Sequence, residues 1–283
     1  MTDSIDNSSS TTEGPASPEG TEVGLLPMSP RGEFFQQYAW LAFLGPLIVY
    51  MLVPMFFGAS PPGDHLTEEH REAAQQAYAN SYLWQYTTMA SLLVALVIYL
   101  PLAIRLPKFR ISALAIAVGV VGVVLWVGID AVGIKSWLVG LFGEESWAVT
   151  ILGLAPRDAF NPIEQFGAGT PRFWWFLTVR FIGLALIVPV VEELMLRGWL
   201  MRFVDNPAFW QVPFGEVTLR AAAIGIGFEV LIHPEKLAAL VWFSLTTWLM
   251  FKTKNFWDCV AAHAVTNFLL GVWVVWRGEW HLW

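Results

Sequence analysis

The chain has 283 residues, of which 56% are hydrophobic and only 14% are charged, and its mean hydropathy is +0.54. Soluble domains are about 45–50% apolar and about 25% charged, so a soluble fold of this length has too little interior for such a composition. The net charge of −7 points to no class of partner, because five acidic residues lie within the first 22. The single cysteine, Cys259, excludes a disulfide framework within the chain and lies in an apolar run, where we expect a packed thiol.

Residues 1–32 form a polar segment rich in Ser, Thr, Gly, Pro and Glu. Such a composition buries too little apolar area to offset the entropy lost on ordering. The segment also lacks the basic start and apolar centre of a signal peptide. We therefore predict a disordered tail that is retained in the mature protein.

Apolar runs occupy most of the chain after this tail. About 20 apolar residues are needed to cross a hydrocarbon core about 30 Å thick, and most of the runs approach that length. The two runs that end at residues 232 and 251 are shorter and are expected to tilt, thin the bilayer or re-enter. We predict an all-α, polytopic transmembrane helix bundle of about seven spans, with a range of six to eight. The runs are 38–57, 83–104, 111–134, 173–203, 217–232, 237–251 and 256–276.

Basic residues concentrate in two of the short loops between these runs. Arg105, Lys108 and Arg110 lie in the second loop, and Lys252 and Lys254 lie in the sixth. The first loop is mostly acidic. Because Lys and Arg close to spans favour the cytoplasmic side, we predict a cytoplasmic N-terminus. No basic surface or Gly-rich phosphate loop indicates a nucleic acid or nucleotide as partner.

Two adjacent carboxylates and an arginine interrupt the fourth run. An ionisable side chain inside a span costs about 2.5–3.5 kcal/mol, so each requires a partner or a function. On a helix, Glu193 and Arg197 are neighbours at i and i+4, whereas Glu192 points about 100° away. One carboxylate can therefore pair with the arginine while the other acts as a general base. A charged turn at a helix end is the simpler alternative. Asp130, in the third run, is either a buried partner of Arg197 or a residue near the outer surface.

Two histidines lie in the last runs. His233 closes the fifth run, four residues after Glu229, and by itself is typical of an interfacial histidine at a helix end. His263 and Asn267 share one face of the seventh run among small residues. The simplest role of this second pair is a polar contact between helices, worth about 0.6 kcal/mol per interaction.

Taken together, these side chains supply a base, an orienting group and hydrogen-bond donors for a developing oxyanion. Those are the parts needed for hydrolysis of an amide by water without a covalent nucleophile. Two other classes of function use the same residues. A membrane adaptor or self-immunity protein would use them only to hold helices together, and a proton- or metal-coupled carrier would use them as a relay. The carrier is the least favoured, because the sequence has no inverted repeat and no pair of broken helices.

The predicted depths of His233 and Glu192 in the membrane do not agree. If the fifth run crosses from the inside to the outside, His233 ends near the outer face, whereas Glu192 lies in the inner half of its span. Contact between them requires a long, tilted and broken fourth helix, a re-entrant fifth run or a different span count. Irregular backbone at that depth is tolerated where protein surrounds a water-filled cavity.

This pattern resembles the CAAX protease and bacteriocin-processing (CPBP) family of glutamic intramembrane proteases. The family motif EExxxR matches Glu192, Glu193 and Arg197, and the motif Hxxx(N/D) matches His263 and Asn267. The similarity covers about residues 173–276.

The middle family motif, FxxxH, matches in part. His233 fits its histidine, but Glu229 stands at the phenylalanine position, and Phe228 lies one place further back. The packing around the histidine is therefore expected to differ from the family pattern.

The resemblance implies an intramembrane endopeptidase with no metal and no cofactor. The implied roles are activation of the attacking water by Glu192 and His233, support of the first carboxylate by Glu193 and Arg197, and stabilisation of the oxyanion by His263 and Asn267. In its abundance of Trp and in the Ile-His-Pro-Glu segment at residues 232–235, the chain also looks like the bacterial CAAX prenyl protease-related branch that accompanies exosortase sorting systems. That branch implies a bacterial cytoplasmic membrane, a membrane-associated protein or peptide substrate and exosortase-type machinery as partner.

The expected organisation has three parts. Residues 1–32 form the cytoplasmic tail, 33–172 the N-terminal transmembrane helices and loops, and 173–283 the CPBP-like catalytic core.

Overall fold

A computed structural model describes residues 27–57, 99–143 and 160–282, together with residues 67, 70–78, 80, 96, 97, 146, 147, 149 and 154. Regular structure in this part of the chain is helical, apart from an isolated antiparallel bridge between Pro30 and Ile104. The main helices are α1 (Gly32–Gln37), α2 (Ala39–Phe57), α3 (Ala113–Ala131), α4 (Ile134–Phe142), α5 (Pro162–Phe166), α6 (Pro171–Asp205), α7 (Leu219–Ile232), α8 (Lys236–Thr253) and α9 (Phe256–Arg277). Short 3₁₀ turns follow at Phe209–Gln211 and Trp280–Leu282.

Three helical stretches in the described part of the chain are long and apolar enough to cross a membrane. They are Ala113–Phe142, Pro171–Asp205 and Phe256–Arg277. The helical, membrane-spanning class predicted from composition is therefore supported, whereas the count of about seven spans is not confirmed. Residues 1–26, which make up most of the predicted tail, and most of the second apolar run, 83–104, lie outside the described residues.

The chain is already packed before the predicted end of the polar tail. Met28 is fully buried, and its backbone N–H donates to the carbonyl of Arg105 at 2.7 Å. The N–H of Arg105 donates in return to the carbonyl of Ser29, and the buried Arg202 guanidinium donates to the Met28 carbonyl. Residues 27–31, which composition groups with the tail, thus lie against the segment that follows the second run.

Helix α6 has 35 residues, about 50 Å at 1.5 Å per residue, so it exceeds the hydrocarbon thickness and must tilt or protrude. Two wider π-helical turns, Gly183–Ile187 and Leu194–Leu200, interrupt it on either side of the two glutamates. Pro189 follows the first of these turns and has no N–H to return to the preceding turn. The carbonyl of Leu184 instead accepts a hydrogen bond from Asn267 of α9 at 3.0 Å. A neighbouring helix thereby satisfies a backbone group that proline leaves open.

Helices α6 and α7 form an antiparallel pair joined at one end. The Asp205 carboxylate accepts from both the backbone N–H and the hydroxyl of Thr218, at 2.7 and 2.6 Å. The Thr218 hydroxyl in turn caps the start of α7. Because α7 runs back along the last turns of α6, residues at equal distances from this junction lie at the same depth.

Helix α3 approaches α8 and α9 closely through two glycines. A Cβ atom on Gly119 would lie 2.8 Å from the carbonyl oxygen of Ala262, and one on Gly122 would lie 2.6 Å from the Thr266 hydroxyl. The same hydroxyl donates to the Gly119 carbonyl at 2.8 Å. Small residues thus permit the backbone approach on which the α3–α9 contact depends.

We expect Gly122→Val to lower the free energy of unfolding by about 1–3 kcal/mol, because a larger side chain there collides with packed atoms. Gly128→Val in the same helix is the matched control, since no atom lies within 4 Å of its added Cβ. Thermal unfolding of the two variants in the same detergent measures the difference. Equal midpoints for both variants would mean that α3 is not tightly packed at Gly122.

Candidate active site

The Glu193–Arg197 pair of α6 is completely buried. Arg197 Nη1 donates to Glu193 Oε2, which confirms the predicted i, i+4 ion pair. Arg197 Nη2 donates to the hydroxyls of Thr246 and Thr247 on α8, at 2.6 and 3.3 Å. Neither threonine is among the site residues predicted from the sequence, although two adjacent hydroxyls in an apolar helix are a detectable signal. Their bonds help to satisfy a guanidinium group that would otherwise be costly to bury.

His263 of α9 lies between the two adjacent glutamates. Its Nδ1 is 3.1 Å from Glu193 Oε1, and its Nε2 is 3.7 Å from Glu192 Oε2. The ring is almost entirely buried, with the aromatic rings of Trp242 and Phe243 against it. Both oxygens of Glu193 therefore have a partner, one in Arg197 and the other in His263.

Glu192, Glu229 and His233 converge at the end of α7. One oxygen or nitrogen atom from each of the three side chains lies within 4.8 Å of the others. His233 follows the last residue of α7, and its Nδ1 is 2.9 Å from the Glu229 carbonyl oxygen. Because a carbonyl oxygen only accepts, Nδ1 carries the proton and Nε2 of the neutral ring keeps its lone pair.

The length of α6 and its antiparallel packing against α7 place Glu192 and the end of α7 at similar distances from the junction between the two helices. Glu192 lies 13 residues before Asp205, and Glu229 lies 11 residues after Thr218. At 1.5 Å per residue, both are about 16–20 Å from the junction between the two helices. The fourth helix is long and interrupted, as one of the three arrangements considered from the sequence requires.

Glu229 is the residue of the site to which the sequence pattern assigns no role. It is completely buried, and neither of its carboxylate oxygens has a hydrogen-bond partner. One of them, Oε2, is 3.4 Å from His233 Nδ1. Its place in the FxxxH motif and its spacing from His233 were the available signals. A carboxylate buried in this way is costly unless a cation, a proton or water neutralises or solvates it.

Two other residues singled out from the sequence, Asn267 and Asp130, have their hydrogen-bond partners outside this cluster. Asn267 contacts the Leu184 carbonyl rather than any of the carboxylates. Asp130 is 3.3 Å from His281 Nε2, so it is not the partner of Arg197, and its position near the outer surface stays a prediction. Cys259 is buried as a free thiol, as expected.

The side chains of the site differ in how deeply they are buried. Glu193, Glu229 and Arg197 are buried, whereas the side chains of Glu192 and His233 each retain 21% of their surface. Part of the Glu192 side chain and part of the His233 side chain are therefore exposed, unlike the groups behind them. The arrangement offers one accessible carboxylate, one accessible imidazole and a neutralised carboxylate behind them.

Residues 173–269 match the sequence model of the type II CAAX prenyl endopeptidase Rce1-like family. The match includes every member of the cluster, from Glu192 on α6 to His263 on α9. No curated protein and no solved structure shows significant similarity to the chain.

The family match and the apolar helices support an integral membrane protein and, in general terms, a membrane endopeptidase. They also confirm the resemblance that the motifs indicated. By this match, the segment that carries the site, residues 173–269, is similar to the Rce1-like family of type II CAAX prenyl endopeptidases.

Proposed function

We propose that the protein is an intramembrane endopeptidase in which Glu192 and His233 activate a water molecule for attack on a peptide bond. The observation that carries this proposal is that the two adjacent glutamates differ in their partners and in their exposure. The Glu193 carboxylate contacts both Arg197 and His263, whereas the side chain of Glu192 is partly exposed and lies beside His233. A general base needs this combination of access and freedom from a structural ion pair.

In the proposed reaction, Glu192 takes a proton from water as the water oxygen bonds to the carbonyl carbon. The C–N bond of the tetrahedral intermediate then breaks, and the proton passes to the leaving nitrogen. The hydrogen bond from His233 Nδ1 to the Glu229 carbonyl holds the ring and leaves Nε2 free to position the water. Glu193 and Arg197 support this arrangement through His263, which lies within reach of both glutamates.

The oxyanion is assigned to His263 and Asn267 by the family pattern. Asn267 uses one amide N–H for the Leu184 carbonyl, which leaves its second N–H for another acceptor. We propose that both side chains stabilise the oxyanion. The substrate class that fits is a membrane-associated protein or peptide, and exosortase-type sorting machinery in a bacterial cytoplasmic membrane is the proposed partner. The cytoplasmic position of the N-terminus also belongs to the proposal.

The adaptor alternative predicts a sealed cluster in which every polar group is paired. The accessible Glu192 and the unpaired oxygens of Glu229 favour chemistry over a purely structural role. The carrier alternative requires a polar path between both membrane faces. Glu193, Glu229 and Arg197 are buried, which does not favour this alternative.

Cleavage of membrane-anchored substrates tests the proposal. Wild-type protein and Glu192→Gln would be incubated in vesicles with a library of membrane-anchored peptides that includes C-terminal sorting signals. Mass spectrometry would then detect new peptide ends. We expect cleavage to fall by about 10²–10⁴-fold in Glu192→Gln, because the amide cannot accept the proton.

Glu216→Gln is the matched control, because this exposed glutamate pairs with Lys254 far from the cluster. It should cleave like the wild type when the amounts of folded protein are equal. Equal cleavage by wild type and Glu192→Gln would remove Glu192 from catalysis and favour the adaptor.

A further inference from the structure

We propose that Glu192, Glu229 and His233 form a binding site for one divalent transition-metal ion of the zinc class. Neither the family match nor the motif pattern assigns a metal to this chain. The site depends on Glu229, the residue that departs from the FxxxH motif, so the inference concerns this chain in particular.

The charge around Glu229 is the first argument. Its carboxylate is completely buried, and both of its oxygens lack a hydrogen bond. Oε2 of Glu192 is also buried without a partner. The buried cation nearby, Arg197, already pairs with Glu193. Two carboxylates that face one another in such a site call for an additional positive charge.

Donor spacing is the second argument. Zinc binds carboxylate oxygen and imidazole nitrogen at about 2.0–2.2 Å, so two of its ligand atoms lie at most about 4.4 Å apart. The donor atoms of Glu192, Glu229 and His233 lie within 4.8 Å of one another, which small rotamer shifts bring into range. His233 directly follows α7 and lies four residues after Glu229, and its backbone N–H donates to the Glu229 carbonyl, so the last helical turn brings the two side chains together.

The orientation of His233 is the third argument. A histidine that binds a metal through one nitrogen usually donates its other N–H to a carboxylate or a backbone carbonyl. His233 has this arrangement, since Nδ1 contacts the Glu229 carbonyl at 2.9 Å and Nε2 remains free. Magnesium and calcium prefer all-oxygen shells of six or more ligands, whereas two carboxylates and one imidazole suit zinc or a similar transition metal. Three protein ligands also leave a coordination position open.

Occupancy of this site bears on the proposed function, because Glu192 cannot be a metal ligand and accept a proton from water at the same time. Zinc is therefore expected to inhibit hydrolysis, an expectation that rests on the proposed role of Glu192. The binding proposal does not rest on it, because binding is measured without substrate.

Zinc titration of the purified, full-length protein tests the site. Protein in detergent, stripped with a chelator and free of a polyhistidine tag, would be titrated with Zn²⁺ in competition with a chromophoric chelator. We expect one zinc ion per wild-type chain. We expect at least about 10-fold weaker binding by Glu229→Gln, which keeps the side-chain volume and loses the charge, and by Glu229→Phe, which restores the family residue.

Two controls separate this site from surface binding. Glu216→Gln removes an exposed carboxylate, and His281→Ala removes the histidine beside Asp130. Both should bind zinc like the wild type. Thermal unfolding without metal identifies the folded variants, and either folded Glu229 variant is sufficient. The proposal is overturned if folded wild-type protein binds no zinc, which would mean that a proton neutralises the carboxylate pair, or if a folded Glu229 variant binds as tightly as the wild type.

Discussion

Replacing Arg197 with methionine is expected to lower the free energy of unfolding by about 3–5 kcal/mol. Methionine approximates the length of the side chain but leaves the Glu193 carboxylate buried without its cation. Breaking one half of a buried ion pair has a cost of about that size. The hydroxyls of Thr246 and Thr247 also lose the guanidinium group to which they are bonded. Thermal unfolding in detergent, and the yield of folded protein in membranes, measure the loss.

The double variant Glu193→Gln with Arg197→Met distinguishes this mechanism from simple loss of packing. Removing both charges avoids the isolated buried carboxylate, so most of the lost stability should return. Arg220→Met is the matched control, because Arg220 is exposed at the start of α7. A double variant no more stable than Arg197→Met would indicate that the cost lies in packing and not in the unpaired Glu193.

Replacing His263 with leucine is expected to reduce hydrolysis by about 10²–10³-fold. The imidazole is the contact between the neutralised Glu193 and the accessible Glu192, at 3.1 and 3.7 Å. Loss of one positioned polar group that stabilises developing charge has an effect of that size. The effect on stability should be smaller than that of Arg197→Met, because Glu193 keeps its arginine. Initial cleavage rates at equal amounts of folded protein check the expected result.

Asn267→Leu is the informative comparison on the same helix. It removes the hydrogen bond to the Leu184 carbonyl, so we expect a loss of about 1–3 kcal/mol in the free energy of unfolding. If hydrolysis by His263→Leu equals that of the wild type, His263 has only a structural role. If hydrolysis by Asn267→Leu falls further than its folded fraction explains, Asn267 also takes part in the reaction.

Residue types and their spacing were sufficient to predict much of the membrane character and part of the site. Composition and long apolar runs predicted transmembrane helices, and three such helices are present in the described part of the chain. Spacing along one helix predicted the Glu193–Arg197 pair, because i and i+4 side chains are neighbours whatever surrounds the helix. The EExxxR and Hxxx(N/D) spacings indicated the family that the match to residues 173–269 confirms. The span count and membrane orientation stay predictions.

Contacts between helices could not be predicted from residue types and spacing. Periodicity gives the face of a residue on its own helix, but the depth and rotation of one helix against another follow from packing over many residues. The sequence therefore did not predict that Thr246 and Thr247 would hold Arg197, or that Asn267 would bond the carbonyl that Pro189 leaves open. The position of Glu229 toward Glu192, instead of toward lipid, likewise depends on the Asp205–Thr218 junction that brings α6 and α7 into register. Spacing along the chain supplied the chemical groups of the site, and the antiparallel packing of α6 and α7, with α9 beside them, brought those groups together.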